Sequence, residues 1–244
     1  MIRFLTLTLL LCVGLGCRAR EQGDGLQSAV SEPPVVEPVQ RATHRSVADP
    51  PRVEGHEPVL WVALEDHLGA TAAAAALNLR AFAGSLTLRD ATGEQGSGSG
   101  FVITWRSVAL ARPLQLARRI AGPYASFESA DRVASRWRAL GVAAEVAHPK
   151  EWEVWAPEGS PVPDGLAVRD WQSTVTSTVE PVLQTLEGER PLQGPLLIEA
   201  SDGLLWAGGR FEGPFRLQRD AYGSWTLVEQ VLSLIHISEP TRPY

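Results

Sequence analysis

The chain has 244 residues, with 22 Lys and Arg against 28 Asp and Glu, a formal net charge of −6. Neutralising phosphates takes clustered positive charge, so this acid excess argues against a basic nucleic-acid binder. With 44% hydrophobic and 20% charged residues, disorder over the whole length is excluded as well.

Residues 1–17 read as a lipoprotein signal peptide. Arg3 supplies the positive start, and Phe4 to Leu15 is a largely apolar run too short to span a bilayer comfortably. Gly14-Leu15-Gly16-Cys17 resembles the lipobox of bacterial lipoproteins, with Gly14 where a bulky aliphatic is usual. Cys12 lies inside the signal, so Cys17 is the sole cysteine of the mature chain and no intramolecular disulfide can form. Lipid attachment at Cys17 gives that thiol a purpose and places the protein outside the cell as a membrane-anchored lipoprotein of the envelope. Residues 18–58 are polar, carry Pro33-Pro34, Pro38, Pro50-Pro51 and Pro58, and contain no Phe, Tyr or Trp. Such a stretch cannot bury enough apolar surface to offset ordering, so a disordered tether is expected.

Residues 59–108 form an expected β-rich segment. Val59-Leu60-Trp61-Val62-Ala63-Leu64, apolar on both sides, predicts a buried strand, and Ala70 to Leu79 predicts a short helix. Ser85 to Asp90 alternates as a strand, Asp90-Ala91-Thr92-Gly93 offers a turn, and Gly96 to Gly100 predicts a flexible loop before a strand from Phe101 to Trp105. That loop is no phosphate cradle, because it lacks the Lys-Ser/Thr ending and has Phe101 at the third glycine's place.

Residues 109–160 predict a compact α+β unit. A strand around Leu114, Leu116 and Ile120 precedes a helix with Ser126 as N-cap, Ala130, Val133, Ala134, Trp137 and Leu140 on one face, and Gly141 as its stop. Val142, Ala144 and Val146 alternate as a strand, and Glu151 to Trp155 make another, giving strand, helix, strand, strand. Residues 161–231 mix turns with short strands at Leu196-Leu197-Ile198, Leu204-Leu205-Trp206, Phe215-Arg216-Leu217 and Trp225 to Val228. Residues 232–244, from Leu232-Ser233-Leu234-Ile235-His236-Ile237, match the literal translation of a transposase sequencing adapter. Native sequence is therefore expected to stop near Val231. The expected fold class is α+β, with short-strand sheets.

The chemistry legible in these residues is sparse. His44, His56, His67 and His148 stand at no ligand spacing from one another or from a cysteine, so no metal site or cofactor is expected. Glu65-Asp66-His67 is the most compact mixed titratable set, and a solvated strand exit explains it better than a catalytic group. Glu151, Glu153 and Glu158 cannot be read as an acid pair from spacing. No catalytic residue is assigned. Trp152 and Trp155 fall on opposite sides of their strand, so one should be buried and the other more exposed. A surface Trp beside Tyr124 and Phe127 would make a small glycan platform; the alternative is that Trp137 and one of the pair fill the core.

The order of these motifs resembles the SpoIID/LytB family of exported cell-wall proteins, the amidase enhancers or stage II sporulation protein D relatives. Leu60 to Leu64 with Ser85 to Gly93 resembles the family's opening strands. Gly122-Pro123-Tyr124-Ala125-Ser126-Phe127-Glu128-Ser129-Ala130, running to Leu140-Gly141-Val142, is similar to a SPOR repeat. Gly209 to Leu217 with Trp225 to Val231 resembles the opening of the SpoIID domain, with Phe211-Glu212-Gly213 standing where the family has Tyr-Arg-Gly. The resemblance implies peptidoglycan glycan strands as partner, held by Tyr124, Phe127, Trp152 and Trp155. It also implies lytic transglycosylase or amidase-enhancer activity in an intact protein whose catalytic motifs would follow Val231. The alternative is a non-enzymatic peptidoglycan-binding lipoprotein.

Overall fold

The structure is a computed structural model that describes residues 41–47 and 59–232; the expectations for Cys17, for most of the tether and for residues 233–244 lie outside the described residues. Fifteen strands and one helix follow in order among them. These are β1 (Arg41–Ala42), β2 (Val59–Leu68), β3 (Leu77–Ala81), β4 (Leu86–Arg89), β5 (Gln95–Gly98), β6 (Gly100–Tyr124), α1 (Phe127–Arg138), β7 (Glu145–Ala147) and β8 (Trp152–Pro157). Then come β9 (Arg169–Thr185), β10 (Gly188–Pro191), β11 (Leu196–Ala200), β12 (Leu204–Trp206), β13 (Gly209–Phe211), β14 (Phe215–Arg219) and β15 (Trp225–Leu232).

Two sheets result. The first runs β10-β9-β6-β3-β12-β13, with β1 and β8 also paired to β6 and β7 paired to β8, and it curls into a half-barrel. The second runs β2-β15-β14-β11-β4-β5. Strict alternation explains how they face each other. In β3, β4 and β11 every second side chain is fully buried, Leu77 and Leu79, Leu86 and Leu88, Leu196 and Ile198. These join Ile103, Trp105, Leu183, Phe215, Leu217, Trp225 and Leu227 in one core between the sheets.

β6 organises the first sheet. Its 25 residues pair with β3 near the start, with β8 near the end and with β9 along most of the length. Four residues, Leu110–Pro113, bulge out opposite Thr176 alone. Beyond the bulge both sides of β6 are covered. Ala121 meets Ala130, Ala134 and Trp137 of α1, whereas Ile120 meets Trp155 and Ala147 on the other side. Trp137 is fully buried and donates its indole N–H to the Pro161 carbonyl at 2.8 Å. Burying such a side chain is worth about 3 kcal/mol.

The α+β expectation is overturned: the fold is mostly β, with one short helix. Helix α1 forms where expected. The Ser126 hydroxyl accepts the Ser129 N–H at 3.3 Å, Ala130, Ala134 and Trp137 are buried, and Gly141 has φ +76°. Yet it does not belong to a self-standing strand-helix-strand-strand unit. The strand before it is the end of β6, which began at Gly100 in the other half of the sheet and runs unbroken past residue 108. Arg112 and Pro113 sit in the bulge, and the ladder with β9 resumes after it.

Smaller corrections follow the same logic. Ala70 to Leu79 forms no helix; a turn leads into β3, since the alanine run has no division into polar and apolar faces whereas Leu77 and Leu79 alternate into the core. Gly96 to Gly98, expected as a loop, pair with β4 in β5. The strand at Val59, expected to be buried on both sides, lies at a sheet edge with Leu60 and Val62 exposed. Within the expected tether, Arg41 and Ala42 pair in parallel with Gln115 and Leu116 of β6.

Candidate functional site

The turn from β6 into α1 brings aromatic side chains together. Gly122 has φ +127°, and a Cβ there would stand 3.0 Å from the Trp152 carbonyl oxygen, so the close approach of β6 to β8 needs glycine. The ladder then sets Tyr124 opposite Trp152. Phe127, the first residue of α1, meets Trp152 edge to face, with ring centroids 5.5 Å apart at 75°. His148, in the turn between β7 and β8, stacks against the same indole at 4.3 Å and 32°. Phe127 is 48% exposed, while Tyr124, His148 and Trp152 are half-buried. Burial pushes the Tyr124 phenol up from its ordinary pKa, with Arg136 pulling the other way. The phenol is thus a neutral hydroxyl, able to donate as well as accept.

Trp155 takes no part in this surface. It faces the other side of β8, is 2% exposed, and packs with Ile120 and Ala147. The Arg118 guanidinium lies 3.4 Å from the Trp155 ring centroid and 3.9 Å from that of Trp171, held between two indoles. Desolvation lowers its pKa to about 10, with Glu153 opposing that shift, so the cation persists at neutral pH. Trp155 donates its indole N–H to Glu153 at 2.7 Å, and Arg169 donates to the same carboxylate at 2.8 Å. Tyr222 closes this side edge-on to Trp155, its oxygen accepting the His148 N–H at 2.8 Å. His148 therefore joins the exposed aromatic surface to the buried one.

Of the four expected glycan-contacting residues, Tyr124, Phe127 and Trp152 come together and Trp155 is core. The opposite-side reading of Trp152 and Trp155 anticipated that division. His148, Arg118, Trp171 and Tyr222 carry no local signal of this arrangement; they meet only because β6, β8, β9 and the β14–β15 turn converge.

Two of the acidic candidates, Glu153 and Glu158, find structural partners. Glu158 accepts from Arg41 at 2.6 Å and from Gln172, while Glu153 is taken up as described. Asp66 and His67 approach to 3.7 Å on a mostly exposed strand end, and the His67 ring stands 5.2 Å from that of Tyr222. Among the described residues no group of three His, Cys, Asp or Glu side chains could hold a metal ion. A hollow of about 170 Å³ lies between Arg41, Gln115, Leu116, Ala117 and Gln172, and one of about 150 Å³ beside Gln218 and Arg219. Both fall short of the few hundred Å³ that enclose a small-molecule ligand, and a third, of about 490 Å³, is an open hollow over the exposed β9–β10 turn from Thr185 to Arg190. None of the three is lined by the aromatic surface. The arrangement suits stacking on an open face.

No protein-family model matches the chain, and neither a curated protein nor a solved structure matches it.

Proposed function

We propose that this protein binds the glycan strands of peptidoglycan through the surface formed by Tyr124, Phe127, His148 and Trp152. The carrying observation is the exposed Phe127 ring set edge-on to a half-buried Trp152. Carbon-bound hydrogens of a sugar ring pack on aromatic faces, and the Tyr124 hydroxyl beside them can take part in hydrogen bonds with sugar hydroxyls. A glycan strand is long, so an open platform at which one or two sugars rest suits it better than a closed pocket. The binder reading extends to the whole chain: a lipoprotein anchored through Cys17 that holds the wall, in the manner of SpoIID/LytB-like proteins. The motif order in the sequence supports that wider reading.

The test is co-sedimentation with purified peptidoglycan, whole and stripped of stem peptides. The chain is expected to pellet with both, and a Phe127→Ala, Trp152→Ala double variant to lose about tenfold in affinity, about 1.4 kcal/mol. Circular dichroism checks that the variant stays folded. Undiminished retention of a folded double variant would sink the proposal.

A further inference from the structure

β2 is the long edge of the second sheet. One side pairs with β15, and on the other no strand meets it among the described residues. An open edge presents unpaired N–H and C=O groups, and proteins usually blunt one by keeping it short or by placing Pro or charge along it. The opposite edge, β5, is only four residues, and β10 at an edge of the first sheet ends in Pro191. β2 has no such protection over Val59-Leu60-Trp61-Val62-Ala63. That stretch pairs regularly with Val228 to Leu232, and the register shifts begin only after Ala63; Glu65 and Asp66 lie beyond the shift. Leu60 and Val62 continue the side of the strand from which Leu64 packs on the core, yet they are 47% and 44% exposed. Val231, directly opposite Leu60, is 37% exposed. Among the described residues a regular, uncharged strand with an aliphatic stripe is thus left uncovered.

This stretch is complementary to itself. Two copies related by a two-fold axis perpendicular to the sheet and centred on Trp61 would pair antiparallel, with Leu60 opposite Val62 of the other copy and Val59 opposite its Ala63. Each aliphatic then meets an aliphatic on the same side of the joined sheet. Glu65 and Asp66 fall outside the five paired residues. We infer that the Val59–Ala63 edge is an interface between two copies of this chain, joining their second sheets into one. Five residues from each copy bury well under the roughly 1,600 Å² of a stable interface, so the dimer is weak and concentration-dependent.

Sedimentation velocity of the full chain over a concentration series should show reversible dimers that Val62→Lys abolishes while leaving the circular dichroism spectrum unchanged. Position-specific crosslinking tests the register independently. With Cys12 and Cys17 changed to serine, Leu60→Cys and Val62→Cys chains mixed together should form the disulfide-linked dimer in preference to either alone. A chain that stays monomeric at all concentrations, a dimer that survives Val62→Lys, or crosslinking without preference for the mixture would each overturn the inference.

Discussion

Asp90 shows how one carboxylate can hold two parts of the chain. It is 6% exposed at the end of β4, and it accepts the Thr92 N–H at 2.9 Å, the Thr92 hydroxyl at 2.5 Å, the Glu94 N–H at 3.1 Å and the Gln193 N–H at 3.4 Å. Burial pulls its pKa up, but these hydrogen bonds outweigh it and hold the carboxyl below its ordinary value. A lowered folded pKa means the ionised form is the one folding favours. Its contribution is full above the ordinary value of about 4 and is lost as pH falls through the lowered one. Asp90→Asn should therefore cost about 2 kcal/mol in urea unfolding at pH 7, with the gap to the parent chain shrinking at acid pH. Arg118 makes a different demand, for shape. Its planar guanidinium fills the slot between Trp155 and Trp171 and donates to the Thr43 carbonyl at 3.1 Å. Lysine keeps the charge but cannot stack on two rings. Arg118→Lys should lower stability by about 2 kcal/mol, visible as a shifted urea midpoint.

Elements were legible in the sequence where a local rule fixed them. Helix α1 was readable because its cap, its buried stripe and its stop are all contained in 126–141; Leu140, expected on the stripe, lies past the last helical turn and is 53% exposed. Ser126→Ala removes the hydroxyl that accepts the Ser129 N–H and should cost about 1 kcal/mol, measured by thermal unfolding at fixed pH. The short strands of the last segment were legible for the same reason, since turns at Asp202-Gly203 and Tyr222-Gly223 punctuate alternating runs. β6 was not. Past Leu114 its burial loses the two-residue rhythm because α1 covers one side and Trp155 lies against the other, and neither neighbour is encoded within the strand itself. The aromatic surface was legible in part: Tyr124, Phe127 and Trp152 lie on adjoining elements, whereas His148 arrives through a turn whose geometry no local pattern sets.

For the whole described molecule, the consequence follows from β6 being shared. Ile103 and Trp105 belong to the core between the sheets, while Ile120 and Ala121 belong to the two clusters around β8. Pieces divided at the segment ends suggested by the sequence would not be independent. A fragment ending at residue 108 would keep Ile103 but lose Leu183 and the β9 backbone that pairs with it; a fragment of residues 109–160 would lose Trp171 from one side of Arg118. Pairing β6 with β9 also closes long stretches of chain before the contacts repay the lost entropy, which favours one slow, concerted assembly. Gene dissection should therefore respect β6 as a seam that cannot be cut. Residues 100–185 travel together or lose the sheet that all three clusters are built on.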